Sequence, residues 1–180
     1  MSTNLQFITQ VSAESVVFLN TGQIFTAEYD TYFVQMEIAG TSTYNEIYLT
    51  DSSNARLNDS SDDAHYDNAM RVLKSDTSAS ANNAENAYVG WREIGVYINN
   101  QNKGYGMSFY VHNPFDSSKY TFIISQSVGY VGTAMWAGKA IGSYKSAEQC
   151  NGLYLSNSGG GTMDYIKANI YGIVKVWVEI

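Results

Sequence analysis

The chain ends in a long stretch, Tyr165 to Ile180, in which apolar residues alternate with other residues. Every second residue from Ile166 to Ile180 is apolar or glycine, whereas mostly polar and aromatic residues lie between them. A period of two is typical of a β-strand with one buried face. Sixteen residues would make an unusually long strand. We therefore predict a bend at Gly172, with residues 173–180 forming a C-terminal extension strand that can pair elsewhere.

The constant phase of this alternation also predicts which side chains of the stretch are buried. We expect Ile166, Ile170, Val174 and Val176 to lie inside, and Lys167, Asn169 and Lys175 to lie outside.

Three internal segments show the same period of two. The predicted inward sets are Tyr32, Val34, Met36 and Ile38 in the first segment, Met107, Phe109 and Val111 in the second, and Tyr120, Phe122 and Ile124 in the third. The outward sets include Gln35 and Glu37, then Ser108 and Tyr110, then Thr121 and Ser125. Five more segments resemble strands and are separated by Gly, Asn, Asp and Ser turns. The pattern predicts an all-β fold of eight to ten strands, an antiparallel β-sandwich of the jelly-roll type.

Residues 50–87 interrupt this pattern with a polar and acidic texture. Strands are predicted on both sides, so the stretch is interpreted as a long polar insertion loop within one domain, 1–180, rather than as a linker. A loop of this length is either a binding surface or a mobile surface loop without a binding role.

Composition limits the classes of partner. The chain has 180 residues, 44% of them hydrophobic, which is enough for a core, and its net charge of −7 disfavours nucleic acid because such partners need a basic surface. The single Cys150 excludes an intramolecular disulfide and is expected to be a small buried residue. The N-terminal segment lacks the features of a signal peptide, and no apolar run is long enough for a membrane span.

No motif predicts catalysis, a cofactor or a metal. Asp59, Asp62, Asp63 and Asp67 are close in sequence but lack the spacing of a calcium-binding EF-hand, so a solvated acidic loop is favoured. His65 and His112 have no nucleophile motif nearby, and the glycines of 158–162 lack the lysine of a P-loop. A hydrolase would need a buried acid or base that the sequence does not indicate, and we expect the protein not to be an enzyme.

Aromatic residues provide another candidate chemistry. Trp91 and Trp136 are candidates for stacking on a sugar ring, although tryptophan in a β-sandwich more often packs in the core.

Three stretches of the chain share features with a known family: "EYDTYFVQMEI" (28–38), "FYVHNPFDSSKY" (109–120) and "YLSNSGGGTMDYIKANIYGI" (154–173). They resemble the virion structural proteins of tailed phages, particularly those of marine and cyanobacterial phages. The resemblance implies a jelly-roll subunit at the virion surface, either a capsid decoration protein or a component of the tail or its fibres. It implies capsid or tail proteins as partners and no catalytic residues. The alternative is a carbohydrate-binding module that recognises a host-surface glycan.

The stretch "VKVWVEI" (174–180) departs from that family pattern and suggests assembly. We expect a homo-oligomer, most simply a trimer, because the last strand has no evident partner and its outward aromatic residues resemble an interface. The predicted interface residues are Tyr165, Tyr171, Val176, Trp177, Val178 and Ile180. The alternative is that residues 173–180 pair with an N-terminal strand around Phe7.

Overall fold

The computed structural model describes residues 4–40, 45–57, 65–75, 81–88, 90–92, 94–95, 104–157 and 161–174. Within them the chain forms strands and connecting turns, and no helix there is suited in length and polarity to crossing a membrane. The strands are β1 Leu5–Val16, β2 Phe18–Asn20, β3 Tyr29–Gly40, β4 Asn45–Thr50, β5 Tyr66–Lys74, β6 Ala81–Tyr88, β7 Trp91–Arg92, β8 Tyr105–His112, β9 Thr121–Val131, β10 Ala134–Tyr144, β11 Gly152–Asn157 and β12 Met163–Val174.

The strands form two antiparallel sheets that pack as a sandwich. The larger sheet has the order β1-β12-β3-β8-β9-β10-β5-β6, and the smaller has the order β2-β11-β4-β7. The chain passes from the larger to the smaller sheet at β1 to β2, where Ser15 takes a left-handed conformation with φ 52°. The predicted all-β sandwich of the jelly-roll type is confirmed.

Large aromatic and aliphatic side chains fill the space between the sheets. The Trp91 ring is fully buried against Gly142, where a Cβ atom would stand 2.8 Å from the indole, and Trp91 Nε1 donates to Ser143 O at 3.1 Å. The Tyr66 hydroxyl accepts from Leu49 N at 3.1 Å and donates to Leu57 O at 2.8 Å, which joins the two sheets. Cys150 is buried, as predicted.

The polar stretch 50–87 contains two strands of the larger sheet rather than one long loop. In β5, Tyr66, Asn68, Met70 and Val72 are buried, and β6 pairs with β5 at the edge of the sheet. The prediction missed β5 because polar Asn68 lies on its buried face and apolar Ala69 and Leu73 lie on its outward face, which obscures its period of two.

Strand β9 has the opposite phase to the one predicted. Thr121 and Ser125 are buried, whereas Phe122 and Ile124 are 45% and 48% exposed. The inward hydroxyls find partners: Ser125 Oγ donates to Ile94 O at 2.5 Å, and Thr121 Oγ1 lies 3.8 Å from Cys150 Sγ. Because β9 carries apolar residues on both faces, hydrophobicity alone did not determine its phase. The predicted phases of the other two internal segments are confirmed.

The final strand pairs on both sides as far as Val174. It lies between β1 and β3, with Gly172 opposite Gln6 and Tyr32, so the prediction of a bend at Gly172 and of an unpartnered strand from residue 173 is wrong for Ile173 and Val174. The alternative, that residues 173–180 pair with the N-terminal strand around Phe7, is observed for the two described residues: Ile173 lies opposite Leu5, and Val174 N donates to Asn4 O at 2.8 Å. Residues 175–180 lie outside the described residues.

Burial in β12 follows the predicted phase until its last residue. Ile166 and Ile170 are buried, and Lys167 and Asn169 are not. Val174 is 40% exposed, contrary to prediction, because an irregularity in the pairing with β3 between Ile173 and Val174 shifts the register. Lys175 and Val176 fall among the residues that are not described.

Candidate functional site

The outer face, which is the face of the larger sheet turned away from the smaller sheet, carries side chains aligned across the strands. One line of side chains is apolar on six adjacent strands, and we call it the aromatic row. It runs through Phe7, Tyr171, Phe33, Tyr110, Ile124 and Ile141, each directly opposite the next. The register of the sheet therefore assembles a surface from residues that are far apart in sequence.

Neighbouring rings of the aromatic row contact one another. The ring centroids of Phe7 and Tyr171 are 5.5 Å apart, those of Tyr171 and Phe33 are 6.1 Å apart, and those of Phe33 and Tyr110 are 4.9 Å apart. Phe7 is 56% exposed and Tyr110 is 40% exposed, so these rings are accessible to a ligand. A contiguous exposed surface of this kind is usually a binding surface.

A second line, the polar row, runs beside the aromatic row. It crosses the same face through Gln10, Asn169, Gln35, Ser108, Gln126, Lys139 and Arg71, each opposite the next. Five of these positions carry an amide or hydroxyl that can donate or accept hydrogen bonds, and the last two carry cations. Rings that offer apolar contact thus lie next to groups that offer hydrogen bonds.

Three adjoining grooves follow these rows on the outer face. The largest has a volume of about 800 Å³ and is lined in part by Gln35, Ser108, Gln126, Arg71 and Lys139. A groove of about 520 Å³ shares Gln126, Arg71 and Lys139 with it. The third, of about 610 Å³, is lined in part by the last residue of β8, His112, and by Phe122 and Ile141.

His112 is the titratable group next to the aromatic row. Its ring is stacked on that of Tyr110, with centroids 6.2 Å apart and an interplanar angle of 15°, and its Nδ1 lies 3.0 Å from Thr31 Oγ1. Partial burial lowers the pKa of His112 below its usual value. An imidazole beside the aromatic row is a group that can exchange protons with a bound molecule.

The smaller sheet has its own aromatic cluster, but the protein already covers part of it. The guanidinium carbon of Arg56 lies 4.9 Å from the Tyr48 ring centroid and 5.1 Å from that of Tyr154. Phe18 is stacked on Tyr154 at 4.7 Å and is 48% exposed. Because the guanidinium group of Arg56 covers the faces of both tyrosine rings, this cluster has less accessible ring surface than the aromatic row.

The tryptophans predicted to contact a glycan do not lie on the outer face. Trp91 is completely buried between the sheets, so that prediction is wrong for Trp91. Trp136 is half-buried and packs against the core, with Lys74 Nζ 4.0 Å from its ring centroid. The prediction of these two tryptophans as glycan contacts depended on residue type alone. The exposed rings that the structure brings together are phenylalanines and tyrosines.

Of the predicted interface residues, the described ones lie on the outer face. Tyr171 belongs to the aromatic row, and Tyr165 is half-buried on the same side of β12. Val176, Trp177, Val178 and Ile180 lie outside the described residues. Sequence reasoning missed Phe33, Ile124 and Ile141 as surface residues. The signal that could have revealed them is the occurrence of apolar residues on both faces of one strand, as in β9.

The acidic cluster is only partly described. Asp67 Oδ1 forms an ion pair with Lys145 Nζ at 3.0 Å, and Asp59, Asp62 and Asp63 fall outside the described residues. Among the residues that are described, no group of His, Cys, Asp or Glu has the arrangement of a metal site.

Comparisons with known proteins matched solved structures but no sequence family. No protein-family model and no curated protein matches the sequence. One matched structure is that of a marine PL-14 alginate lyase from Aplysia kurodai, with 9% sequence identity and a TM-score of 0.36, covering 93% of this chain and 82% of that chain.

These comparisons correct two predictions made from the sequence. A non-enzymatic structural protein of a phage particle was expected, but the solved structure to which the chain is similar is an enzyme, a lyase named for alginate. The same finding overturns the prediction that the protein is not an enzyme. The resemblance to phage proteins, the trimeric state and the virion-surface location stay predictions.

Proposed function

We propose that the outer face of the larger sheet binds an extended polysaccharide whose chain runs across the strands. The observation that carries this proposal is the alignment of the aromatic row with the polar row. A sugar ring presents C–H groups on its faces and hydroxyls around its edge, so it needs an apolar platform bordered by hydrogen-bonding groups. Ring contacts such as that of Phe33 with Tyr110 provide the platform, and Gln35 and Ser108 provide the border.

The dimensions of the two rows favour a polymer over a single sugar. The aromatic row spans six neighbouring strands, from Phe7 to Ile141, which corresponds to about 24 Å at the usual strand spacing. The adjoining grooves lie along the β8, β9, β10 and β5 part of this length. A polymer can therefore contact several rings at once, and each weak contact adds to the others.

A protein partner is the competing occupant, because exposed apolar surface also marks protein interfaces. The polar row distinguishes the two. Protein interfaces are poor in lysine and serine, whereas Lys139, Ser108 and Gln126 line the largest groove of this face.

The test measures binding of the intact protein to neutral glucan, xylan, alginate and polygalacturonate by isothermal titration calorimetry. Tyr110→Ala should weaken binding of any recognised polymer about tenfold, because one stacked ring is lost. Phe18→Ala, which removes a comparably exposed and stacked ring from the smaller sheet, is the matched control and should change affinity less than about twofold. Absence of binding to every polymer, or equal affinity of Tyr110→Ala and the wild type, would refute the proposal.

The same incubations should be assayed for cleavage of the polymer. The pair formed by His112 and Tyr110 favours proton transfer to or from a bound sugar. If the bound polymer is cleaved, His112→Gln should abolish cleavage while retaining most of the binding. Cleavage that is unchanged in His112→Gln would exclude His112 from the reaction.

A further inference from the structure

The charges on the outer face are arranged in a way that leaves two cations facing each other. In the described strand pairings, charged residues lie directly opposite one another at three positions. Two of these pairs have opposite charges, Lys167 with Glu37 and Arg92 with Glu46. The third has like charges, because Arg71 of β5 lies opposite Lys139 of β10.

Neither cation of the like pair is neutralised by a described carboxylate. The ion pairs formed in the described part of the chain involve Arg92, Lys119 and Lys145. In that part of the chain, neither Arg71 nor Lys139 forms a polar interaction through its side chain. Like charges directly opposite in a sheet are destabilising. A protein with a net charge of −7 has many acidic residues, yet none of those in the described part of the chain forms an ion pair with either cation.

The position of the pair connects it to the proposed binding site. Arg71 and Lys139 are exposed, both line the largest groove and the groove next to it, and Gln126 lies opposite Lys139 on the neighbouring strand. Two cationic groups and an amide on one side of a groove can bind an anionic group through charge-assisted hydrogen bonds. Among the described residues no carboxylate neutralises these two cations, and an anionic ligand in the groove can do so.

Resting on the proposed function, we infer that Arg71 and Lys139 form a subsite for an acidic group of the bound polysaccharide, either the carboxylate of a uronic acid or a sulfate ester. General attraction does not account for such a preference, since an acidic protein repels a polyanion at a distance. Selectivity for an acidic polymer must therefore come from a local pair of cations, and salt should weaken it.

The test compares acidic polymers with their neutral counterparts: polygalacturonate with its fully methyl-esterified form, and dextran sulfate with dextran. The wild-type protein should bind at least one acidic polymer about tenfold more tightly than its neutral counterpart. The arm that shows the preference identifies the anion as carboxylate or sulfate. In Arg71→Gln/Lys139→Gln this preference should fall to less than about twofold, because affinity for the acidic polymer falls much further than affinity for the neutral one.

The control is Arg56→Gln/Lys119→Gln, which changes the net charge equally but away from the outer face. It should retain the preference for the acidic polymer. Thermal unfolding supplies a second measurement: Arg71→Gln/Lys139→Gln should be no less stable than the wild type, because a like-charge pair is removed. The acidic polymer should stabilise the wild type and the control more than its neutral counterpart does, whereas the two polymers should stabilise Arg71→Gln/Lys139→Gln to a similar extent.

The outcomes separate this inference from the function on which it rests. If the wild type binds neutral polymers as tightly as acidic ones, or if Arg71→Gln/Lys139→Gln keeps the preference, the anionic subsite is refuted and the polysaccharide-binding face stands. If no polymer binds, acidic or neutral, both proposals fail.

Discussion

Gly172 and Tyr29 are in such close contact that a Cβ atom on Gly172 would stand 2.5 Å from Cγ of the Tyr29 ring. Tyr29 is buried, and its hydroxyl donates to Glu28 Oε1 at 2.9 Å, so the ring cannot easily move aside. Gly172 lies inside strand β12 and is paired on both sides. The glycine is therefore explained by close approach of an aromatic ring, and not by a bend.

Gly172→Ala should destabilise the protein by roughly 1–3 kcal/mol, because the added methyl group overlaps the Tyr29 ring. Gly106→Ala is the matched control within a strand, since a Cβ atom there meets only Val128 Cγ1 at 4.0 Å. Urea unfolding followed by fluorescence measures both changes. Equal effects of the two substitutions would show that Tyr29 does not restrict position 172.

The two faces of the larger sheet should respond differently to truncation of isoleucine. Ile170→Ala should cost on the order of 2–5 kcal/mol, because Ile170 is completely buried between the sheets. Ile141→Ala should cost about 1 kcal/mol or less, because Ile141 is 60% exposed on the outer face. The free energies of unfolding in urea provide the comparison. Similar losses at both positions would mean that the outer face is covered in solution.

Filling the largest groove should block binding without unfolding the protein. Gly106 lines this groove and has room for a side chain, so Gly106→Leu places an isobutyl group where the polysaccharide is proposed to lie. Affinity should fall about tenfold or more, whereas Gly106→Ala should change it less than about threefold. Calorimetric titration measures the affinities, and circular dichroism verifies the fold. Unchanged affinity in Gly106→Leu would place the ligand elsewhere.

Stability should fall as the pH decreases through the usual range of histidine titration. Burial lowers the pKa of His112 in the folded state, so the unfolded chain binds this proton more readily. The contribution of His112 is therefore fully present above its unfolded pKa, about 6.5, and is lost as the pH falls from there through the lower folded pKa. Urea unfolding at a series of pH values should show a shallower decline for His112→Gln. The same slope in both proteins would contradict this role.

Cys150 should not react with thiol reagents while the protein is folded. Burial raises the pKa of the Cys150 thiol to about 12, and the side chain is inaccessible to solvent, so almost no thiolate is available at pH 8. Labelling with a chromogenic disulfide reagent should be slow in buffer and rapid in strong denaturant. Rapid labelling of the folded protein would indicate that the β11 side of the core opens readily.

Period-two alternation in the sequence determined the all-β class and much of the core. The prediction was correct for β3 and β8 because their apolar residues fall on one face, as Val34 and Phe109 do. It was wrong for β9, where the outward positions carry more large apolar residues than the inward ones, so that the local sequence favours the face that is exposed. It missed β5, where the buried residues include Asn68 and the outward residues include Arg71.

Only the tertiary structure decided where the candidate site lies. Phe7, Phe33, Tyr110 and Tyr171 are ordinary strand residues in sequence, and their rings form one row because four strands are in register. Likewise, Arg71 and Lys139 are 68 positions apart and face each other only because β5 pairs with β10. Local sequence encodes which residues can form strands and which side of a strand can be buried. Which strands become neighbours, and which residues therefore share an exposed row, depends on long-range pairing that no local pattern contains.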